Sequence, residues 1–179
     1  ELKADVYLPF LFNKQGEYNM ECSKIRRKDR AITDYHRMLE IMKQCDICRL
    51  GLQDDESVYI VPLNFGFKAD NEELTLYFHG FVKGKKIELI KKNKLAGFEM
   101  DRKHEIVKAE IACDYSFLYQ SIIGKGNLFI IEDKDEKIDA LQYLMEHYTQ
   151  KNDWQFSENE LNKIVVIKMN VSQWSCKEH

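Results

Sequence analysis

The sequence predicts a mainly β fold, an antiparallel barrel flanked by a few helices. Two segments in the first half of the chain alternate apolar and polar residues with a period of two, the spacing of a half-buried strand. The segments with strand character mostly follow one another without a helix between them. A doubly wound parallel sheet would need a helix between successive strands, so the antiparallel arrangement is favoured.

Composition predicts one domain. The chain has 179 residues, of which 44% are hydrophobic and 12% aromatic, enough for one packed core. Its 27 basic and 30 acidic residues give a net charge of -3, so no overall positive field would attract nucleic acid or anionic lipid. We therefore expect a single domain over residues 25–179, an N-terminal extension over residues 1–24 that could be flexible, and no nucleic-acid or membrane partner.

Two features predict a cytoplasmic protein. The apolar run from Val6 to Phe12 is shorter than a membrane span and lacks the flanks of a secretory signal. The chain also has five cysteines, an odd number in a sequence large enough to fold without disulfides, and this composition fits a reducing compartment.

The first predicted helix ends near Gln44, with Thr33 as its cap and Asp34 in its first turn. Its apolar positions follow helical spacing: Ile32, Tyr35, Leu39 and Met42. A strand from Ser57 to Phe67 is predicted next, because every second residue from Tyr59 to Phe67 is apolar. Leu74 to Gly80 alternates again after the polar segment 70–73, so these two strands should form a hairpin.

The second half of the chain begins with a short helix from Lys85 to Lys92, whose inner face carries Ile87 and Ile90. Further strands are predicted at Leu95–Met100, Glu105–Cys113, Tyr119–Ile131 and Ile164–Met169. Gly124 and Gly126 should mark a bulge or a close approach of two backbones. Asp133 and Glu136 resemble a capping box, and an amphipathic helix follows with Ile138, Leu141, Met145 and Tyr148 on one face.

The segment Gly84-Lys85-Lys86, at the start of the short helix, is a candidate anion site. Two lysines there lie at the positive end of the helix dipole, which disfavours each by ~0.3–1 kcal/mol. A phosphate would relieve this conflict, accept bonds from free backbone N–H groups and approach closely at Gly84. The alternative, which the spacing alone favours, is that both lysines are merely solvated.

The even-numbered face of the strand from Ser57 is a candidate platform for a flat ring. Its members are Val58, Ile60, Pro62, Asn64 and Gly66. Pro62 lacks an N–H group, which places this stretch at a sheet edge or a bulge. An ordinary edge strand facing water is an equally favoured interpretation.

The pair Cys45 and Cys48 has the spacing of a zinc or redox motif. A structural zinc site needs four ligands, and the sequence has no second pair of this kind. A redox pair would lie at the start of a helix, whereas this one follows the end of a predicted helix. We therefore interpret both cysteines as small buried residues and predict no metal site.

Three segments are recognisable when taken together. They are Tyr59-Ile60-Val61-Pro62-Leu63-Asn64-Phe65-Gly66-Phe67, then Leu76-Tyr77-Phe78-His79-Gly80 running to Gly84-Lys85-Lys86, and Tyr119-Gln120-Ser121-Ile122-Ile123-Gly124-Lys125-Gly126. Their order and spacing resemble the nitroimidazole-resistance (Nim) branch of the pyridoxamine 5′-phosphate oxidase-like FMN-binding split barrels. The similarity extends from about Ile25 to Tyr148.

This resemblance implies a six-stranded antiparallel split barrel that forms a homodimer, with one FMN in each of two interface clefts. It places the flavin ring along Pro62, Leu63, Asn64 and Phe65, and the phosphate at Gly84, Lys85 and Lys86. By the same resemblance, His79 and Gly80 lie beside the flavin. The cleft would be completed by Ser121, Ile123, Gly124 and Gly126.

His79 is the candidate catalytic residue. It stands where the oxidases carry a hydroxyl residue, which favours the Nim branch, and the corresponding Nim histidine is the proposed active-site residue. Near its unperturbed pKa of ~6.5 a histidine can polarise a bound group or move protons. The alternative is a partly buried histidine that is hydrogen-bonded within the sheet.

The function implied is electron transfer from reduced FMN to a small oxidant, with a nitroimidazole reduced at its nitro group as the family-level candidate. Two alternatives stay open. One is a non-catalytic FMN-binding protein, since a fold does not guarantee turnover. The other is a pyridoxamine 5′-phosphate oxidase-like enzyme, although the basic residues that hold the pyridoxine phosphate have no match in this sequence.

Overall fold

The protein is described by a computed structural model over residues 25–71 and 73–179. The predicted N-terminal extension, residues 1–24, lies outside the described residues. Within them the strands are β1 (Ala31–Ile32), β2 (Cys48–Asp54), β3 (Ser57–Leu63), β4 (Phe65–Asp70), β5 (Glu73–Phe81), β6 (Leu95–Val107), β7 (Ser116–Ile131) and β8 (Ile164–Glu178). The helices are α1 (Tyr35–Lys43), α2 (Lys85–Lys92), α3 (Lys134–Thr149) and α4 (Glu158–Leu161).

One antiparallel sheet holds the described strands, in the order β3-β2-β6-β7-β8-β5-β4, with β1 paired to β8. The two edge strands, β3 and β4, are separated in the chain only by Asn64. The ends of so long a sheet can lie one residue apart only if the sheet curls back on itself, as in a barrel. The predicted class is confirmed, although eight described strands form the sheet rather than six.

The predicted strand from Ser57 to Phe67 is two strands. Residues up to Leu63 pair with β2, and residues from Phe65 pair with β5. The alternation of apolar residues runs through Asn64, but the pairing partner changes at this residue. The predicted hairpin is confirmed for β4 and β5, where Asp70 pairs with Glu73.

Three other boundaries differ from the sequence-based expectations. Asp34, rather than Thr33, caps α1, since its carboxylate accepts a hydrogen bond from the Arg37 N–H at 2.6 Å. The two strands predicted over 95–113 are one strand that ends at Val107, because β7 begins opposite it at Ser116. The final strand continues past Met169 to Glu178. By contrast, α2 has the predicted bounds, with Ile87 and Ile90 buried.

Helix α3 covers the outer face of β4 and β5 at very short range. A Cβ atom at Gly66 would lie 2.5 Å from the Cα atom of Leu144, so only glycine allows the helix to approach β4 this closely. This packing buries Gly66 under α3, so a flat ring cannot lie on Gly66 as the sequence predicted. Among the described helices, none is long and apolar enough to cross a membrane.

Candidate functional site

The end of β5 and the start of α2 form one compact group of side chains. A Cβ atom at Gly80 would lie 2.6 Å from the Cε and 2.9 Å from the Nζ of Lys86, so the Lys86 side chain lies directly on Gly80. Its ammonium forms no ion pair with any residue in the described part of the chain. The structure thus brings an unpaired cation beside the end of the strand that carries His79.

The N-terminus of α2 is open. Gly84, the residue before the helix, has a φ of 128° and no heavy atom within 4 Å of the position that a Cβ would take. Such a φ is strained for residues other than glycine. Among the described residues, no side chain caps this N-terminus. The Ile87 N–H already donates to the Gly84 carbonyl at 2.9 Å, so the N–H groups of Lys85 and Lys86 are the ones that remain available to a ligand.

Lys85 and Lys86 diverge, although they are adjacent in the chain. The Lys85 ammonium lies 2.6 Å from the Asp54 carboxylate at the end of β2 and 5.2 Å from the centre of the Tyr59 ring. Its hydrogen bond with Asp54 raises the pKa of Lys85. Of the two lysines predicted to hold a phosphate, only Lys86 is left unpaired by the described residues.

His79 is half-buried, and its Nδ1 atom is buried without a hydrogen-bond partner among the described residues. Burial, and secondly the positive charge of Lys86, lower the pKa of His79 from its ordinary value of 6.5. Both effects favour the neutral form of the ring. The alternative interpretation, a histidine that is hydrogen-bonded within the sheet, would need a partner for Nδ1, and the described residues provide none.

The corner between β3 and β4 carries the residues predicted to face the flavin ring. Pro62 and Asn64 are exposed, and Pro62 lies on an edge strand, as its missing N–H group predicts. Leu63 is half-buried, and the Phe65 ring is fully buried, with its centre 4.4 Å from that of His147. Phe65 is therefore a core residue within this chain, and neither its ring nor its N–H group is exposed to a flavin ring as the sequence predicted.

Tyr148, at the end of α3, holds this corner and was not identified as a site residue from the sequence. Its hydroxyl accepts a hydrogen bond from the Phe65 N–H at 3.1 Å and donates one to the Asp46 carbonyl at 2.6 Å. The helical spacing of Tyr148 indicated only an apolar position, so periodicity carried no signal for its hydroxyl.

The corner lies close to His79 along the sheet. Phe65 and Phe78 are the last register pair of β4 and β5, so Asn64 and His79 each lie one residue beyond this pair, at the same end of the two strands. Lys86, which lies on Gly80, and the exposed corner at Asn64 are therefore both near the His79 end of β5.

The segment Ser121–Gly126 lies far from His79 within one chain. His79 pairs with Val166, which pairs with Ile131 at the other end of β7. Ile123 is eight residues from Ile131, about 26 Å along a strand. The two predicted halves of the site therefore do not meet in a single protomer.

Gly124 and Gly126 allow close packing inside the sheet. A Cβ atom at Gly124 would lie 2.5 Å from the Phe98 ring, and one at Gly126 would collide with the carbonyl oxygen of Asn170. The predicted close backbone approach is confirmed here. Ser121 is half-buried and Ile123 is exposed on the outer face of the sheet.

Two other features lie outside this group. A groove of ≈ 690 Å³ between α1, β4 and α3 contains none of the predicted site residues. Cys45 and Cys48 are fully buried, and burial raises the pKa of Cys45 to about 12. These thiols behave as the buried residues expected from the sequence.

Comparison with known proteins supports the fold and adds a relationship. Residues 34–178 match the family model described as pyridoxamine 5′-phosphate oxidase. A crystal structure of a candidate 5-nitroimidazole antibiotic resistance protein from Bacteroides thetaiotaomicron shares 34% identity, with a TM-score of 0.72 over 83% of this chain and 86% of that one. None of the curated proteins matches this sequence.

Two more distant structures share the fold alone. The FAD and heme binding protein from Mycobacterium smegmatis has 19% identity and a TM-score of 0.73 over 83% of this chain and 73% of that one. A flavocytochrome from Azotobacter vinelandii has 16% identity and a TM-score of 0.72 over 86% and 71% of the two chains. With its curled antiparallel sheet and its match over residues 34–178, this chain belongs to the pyridoxamine 5′-phosphate oxidase family.

Proposed function

We propose that this protein is a homodimeric FMN-dependent oxidoreductase that reduces a small oxidant, with the nitro group of a 5-nitroimidazole as the substrate class. The observation that carries the proposal is the Lys86 ammonium at the open start of α2, beside a half-buried His79; among the described residues, neither this ammonium nor the His79 Nδ1 has a partner. The 34% identical relative, described as a candidate 5-nitroimidazole resistance protein, supports this choice of substrate.

The residues present fit the two ends of FMN. The Lys86 ammonium offers charge, Gly84 offers space, and the N–H groups of Lys85 and Lys86 offer donors to a phosphate. The exposed corner at Pro62 and Asn64 offers an uncovered surface to a flat ring. FMN, when bound, would supply the redox chemistry, and the protein would position it.

His79 would act on the substrate as a neutral imidazole. Its low pKa leaves one ring nitrogen able to accept a proton and the other able to donate a hydrogen bond near pH 7. Tyr148 would keep the corner between β3 and β4 in place through its bonds to Phe65 and Asp46.

We expect purified protein to be yellow and to release FMN on denaturation, because Lys86 and the open start of α2 fit a terminal phosphate. Absorbance near the flavin bands and chromatography of the released cofactor measure this directly. A colourless preparation that also fails to take up added FMN would remove the central proposal. Release of FAD instead would contradict the proposal that a terminal phosphate binds at Lys86, because FAD has a pyrophosphate in place of a terminal phosphate.

A second copy of the chain would complete the site. Across the four adjacent strands β3-β2-β6-β7, the outer face of the sheet exposes apolar side chains on β3, β6 and β7: Val58 (65% exposed), Ile60 (63%), Leu95 (53%) and Ile123 (52%). Gly51 and Gly97 pair between them, so this face also has a furrow. A surface of this kind favours association. A two-fold dimer could bring Ser121–Gly126 of one chain to Lys86 and the start of α2 in the other chain.

We therefore expect sedimentation velocity to show a dimer, and Ile123→Glu to shift it towards monomer and to weaken FMN binding together. The physical reason is the charge that this variant would bury in an apolar interface. Asn162→Glu, at an exposed position beyond α4, is the matched control and should leave both unchanged. A wild-type monomer with FMN fully bound would contradict the interface cleft.

A further inference from the structure

The turn between β2 and β3 holds both ends of α2. Asp54 pairs with Lys85 in the first turn of the helix at 2.6 Å, and Asp55 pairs with Lys92 in its last turn. The Gln53 side-chain carbonyl accepts a hydrogen bond at 2.6 Å from the Asn93 amide, just past the helix. We call the three contacts the α2 clamp.

Asp54 resolves the electrostatic conflict that the sequence posed at Lys85. A cation in a first turn is disfavoured by the helix dipole, and the Asp54 carboxylate compensates it within the chain. The Asp54 side chain is only 22% exposed, against 53% for Lys85, so the lysine reaches down to a shielded partner. Lys86, one residue later, has no such partner in the part of the chain that the structure describes, and it lies on Gly80.

We propose that Asp54 and Lys85 are positioning residues for the anion site: their ion pair fixes the first turn of α2 on β2, and so directs Lys86 and the open helix N-terminus toward the His79 end of β5. Lys85 itself does not bind the phosphate. This inference rests on the proposed function, because it assigns the work of binding the FMN phosphate to Lys86 and the helix start.

The inference makes an acidic residue support the binding of an anion. If Lys85 instead leaves Asp54 to contact the phosphate, then removing Asp54 would free the lysine and strengthen FMN binding. If the ion pair of Asp54 and Lys85 instead positions the helix, removing Asp54 would weaken FMN binding. The sign of the Asp54→Asn effect therefore separates the two arrangements.

The test compares the affinity for FMN with that for riboflavin, which lacks the phosphate. Flavin fluorescence titrations would use the full chain as wild type, Asp54→Asn, Lys85→Met, and the exchange pair Asp54→Lys with Lys85→Asp. We expect each single variant to lower the FMN to riboflavin affinity ratio by about two- to fivefold, the range of a partly exposed ion pair. The exchange pair should restore the ratio to within about twofold of wild type, because it re-forms the pair in reverse.

Tighter FMN binding by Asp54→Asn would overturn the inference, and so would an exchange pair that binds FMN more weakly than either single variant, because both results mean that Lys85 contacts the phosphate. Glu56→Gln is the matched control. Glu56 is exposed in the same turn and pairs with no cation among the described residues, so removing its charge leaves the α2 clamp intact and should not change the affinity ratio.

Thermal unfolding of the flavin-free proteins separates this inference from the proposed function. The clamp predicts that both single variants lower the melting temperature and that the exchange pair recovers most of the loss. Additive losses in the exchange pair would overturn the clamp, whether or not wild type binds flavin. A different result would instead remove the proposed function. In that case wild type would take up neither FMN nor riboflavin, while the exchange pair would still recover the melting temperature lost in the single variants.

Discussion

Replacing His79 with alanine should lower nitro-group reduction by ~10²–10⁴-fold, the usual range for a positioned acid or base, while FMN and the dimer are retained. The buried His79 Nδ1 has no partner among the described residues, and the pKa of His79 is lowered; both features fit a neutral ring that serves a ligand. The measurement is turnover of a 5-nitroimidazole with NADH or NADPH, alongside FMN affinity and melting temperature of the same variant.

The pH profile gives a second test of His79. Because burial lowers its pKa below 6.5, a reaction that needs the neutral ring should lose rate only as the pH falls below that value. His79→Ala should lack this acidic limb. Normal turnover in a folded, flavin-loaded variant would end the catalytic assignment, whereas a joint fall in stability, flavin binding and activity would make His79 structural.

Replacing Lys86 with alanine should weaken FMN binding by about 1–3 kcal/mol, the usual loss for a charge-assisted hydrogen bond to a phosphate. Lys86 is the cation that the described residues leave unpaired at the start of α2, and its side chain already lies on Gly80 beside the end of β5. Titration of each variant with FMN and with riboflavin measures the effect, which should be confined to FMN.

Lys83 provides the matched control for Lys86. It is exposed in the loop before α2, and Lys83→Ala should change FMN affinity little. Lys86→Met tests the same charge while keeping the aliphatic stem over Gly80, so a loss in both Lys86 variants would assign the effect to the ammonium. Unchanged FMN affinity in both would mean that Lys86 is simply solvated, the interpretation that spacing alone favours.

Local periodicity was sufficient where an element depends mainly on its own neighbours. The bounds of α2 and the inward positions of Ile87 and Ile90 follow from helical spacing alone. The capping of α3 by Asp133, whose carboxylate accepts a hydrogen bond from the Glu136 N–H at 2.9 Å, is also a short-range feature. Such elements can be predicted because a few consecutive residues contain all the relevant contacts.

Periodicity failed where the partner strand decides the structure. Alternation over Ser57–Phe67 indicates one extended segment, but closure of the sheet divides it at Asn64 into two edges with different partners. The alternation over Glu105–Cys113 likewise continues past Val107, although β7 offers no residue to pair with beyond Ser116, its first residue. A pattern along one strand carries no information about which strand lies beside it.

By itself, then, the sequence determined the fold class, the motif order that indicates the family and the presence of two lysines at a helix start. Which lysine is unpaired was decided only by the tertiary structure, which places Asp54 of β2 beside Lys85 and Gly80 of β5 beside Lys86. The two lysines are chemically identical and adjacent in the chain. What distinguishes them is the partner that the fold brings from 31 and 6 residues away, and Coulomb interactions depend on distance in space rather than along the chain.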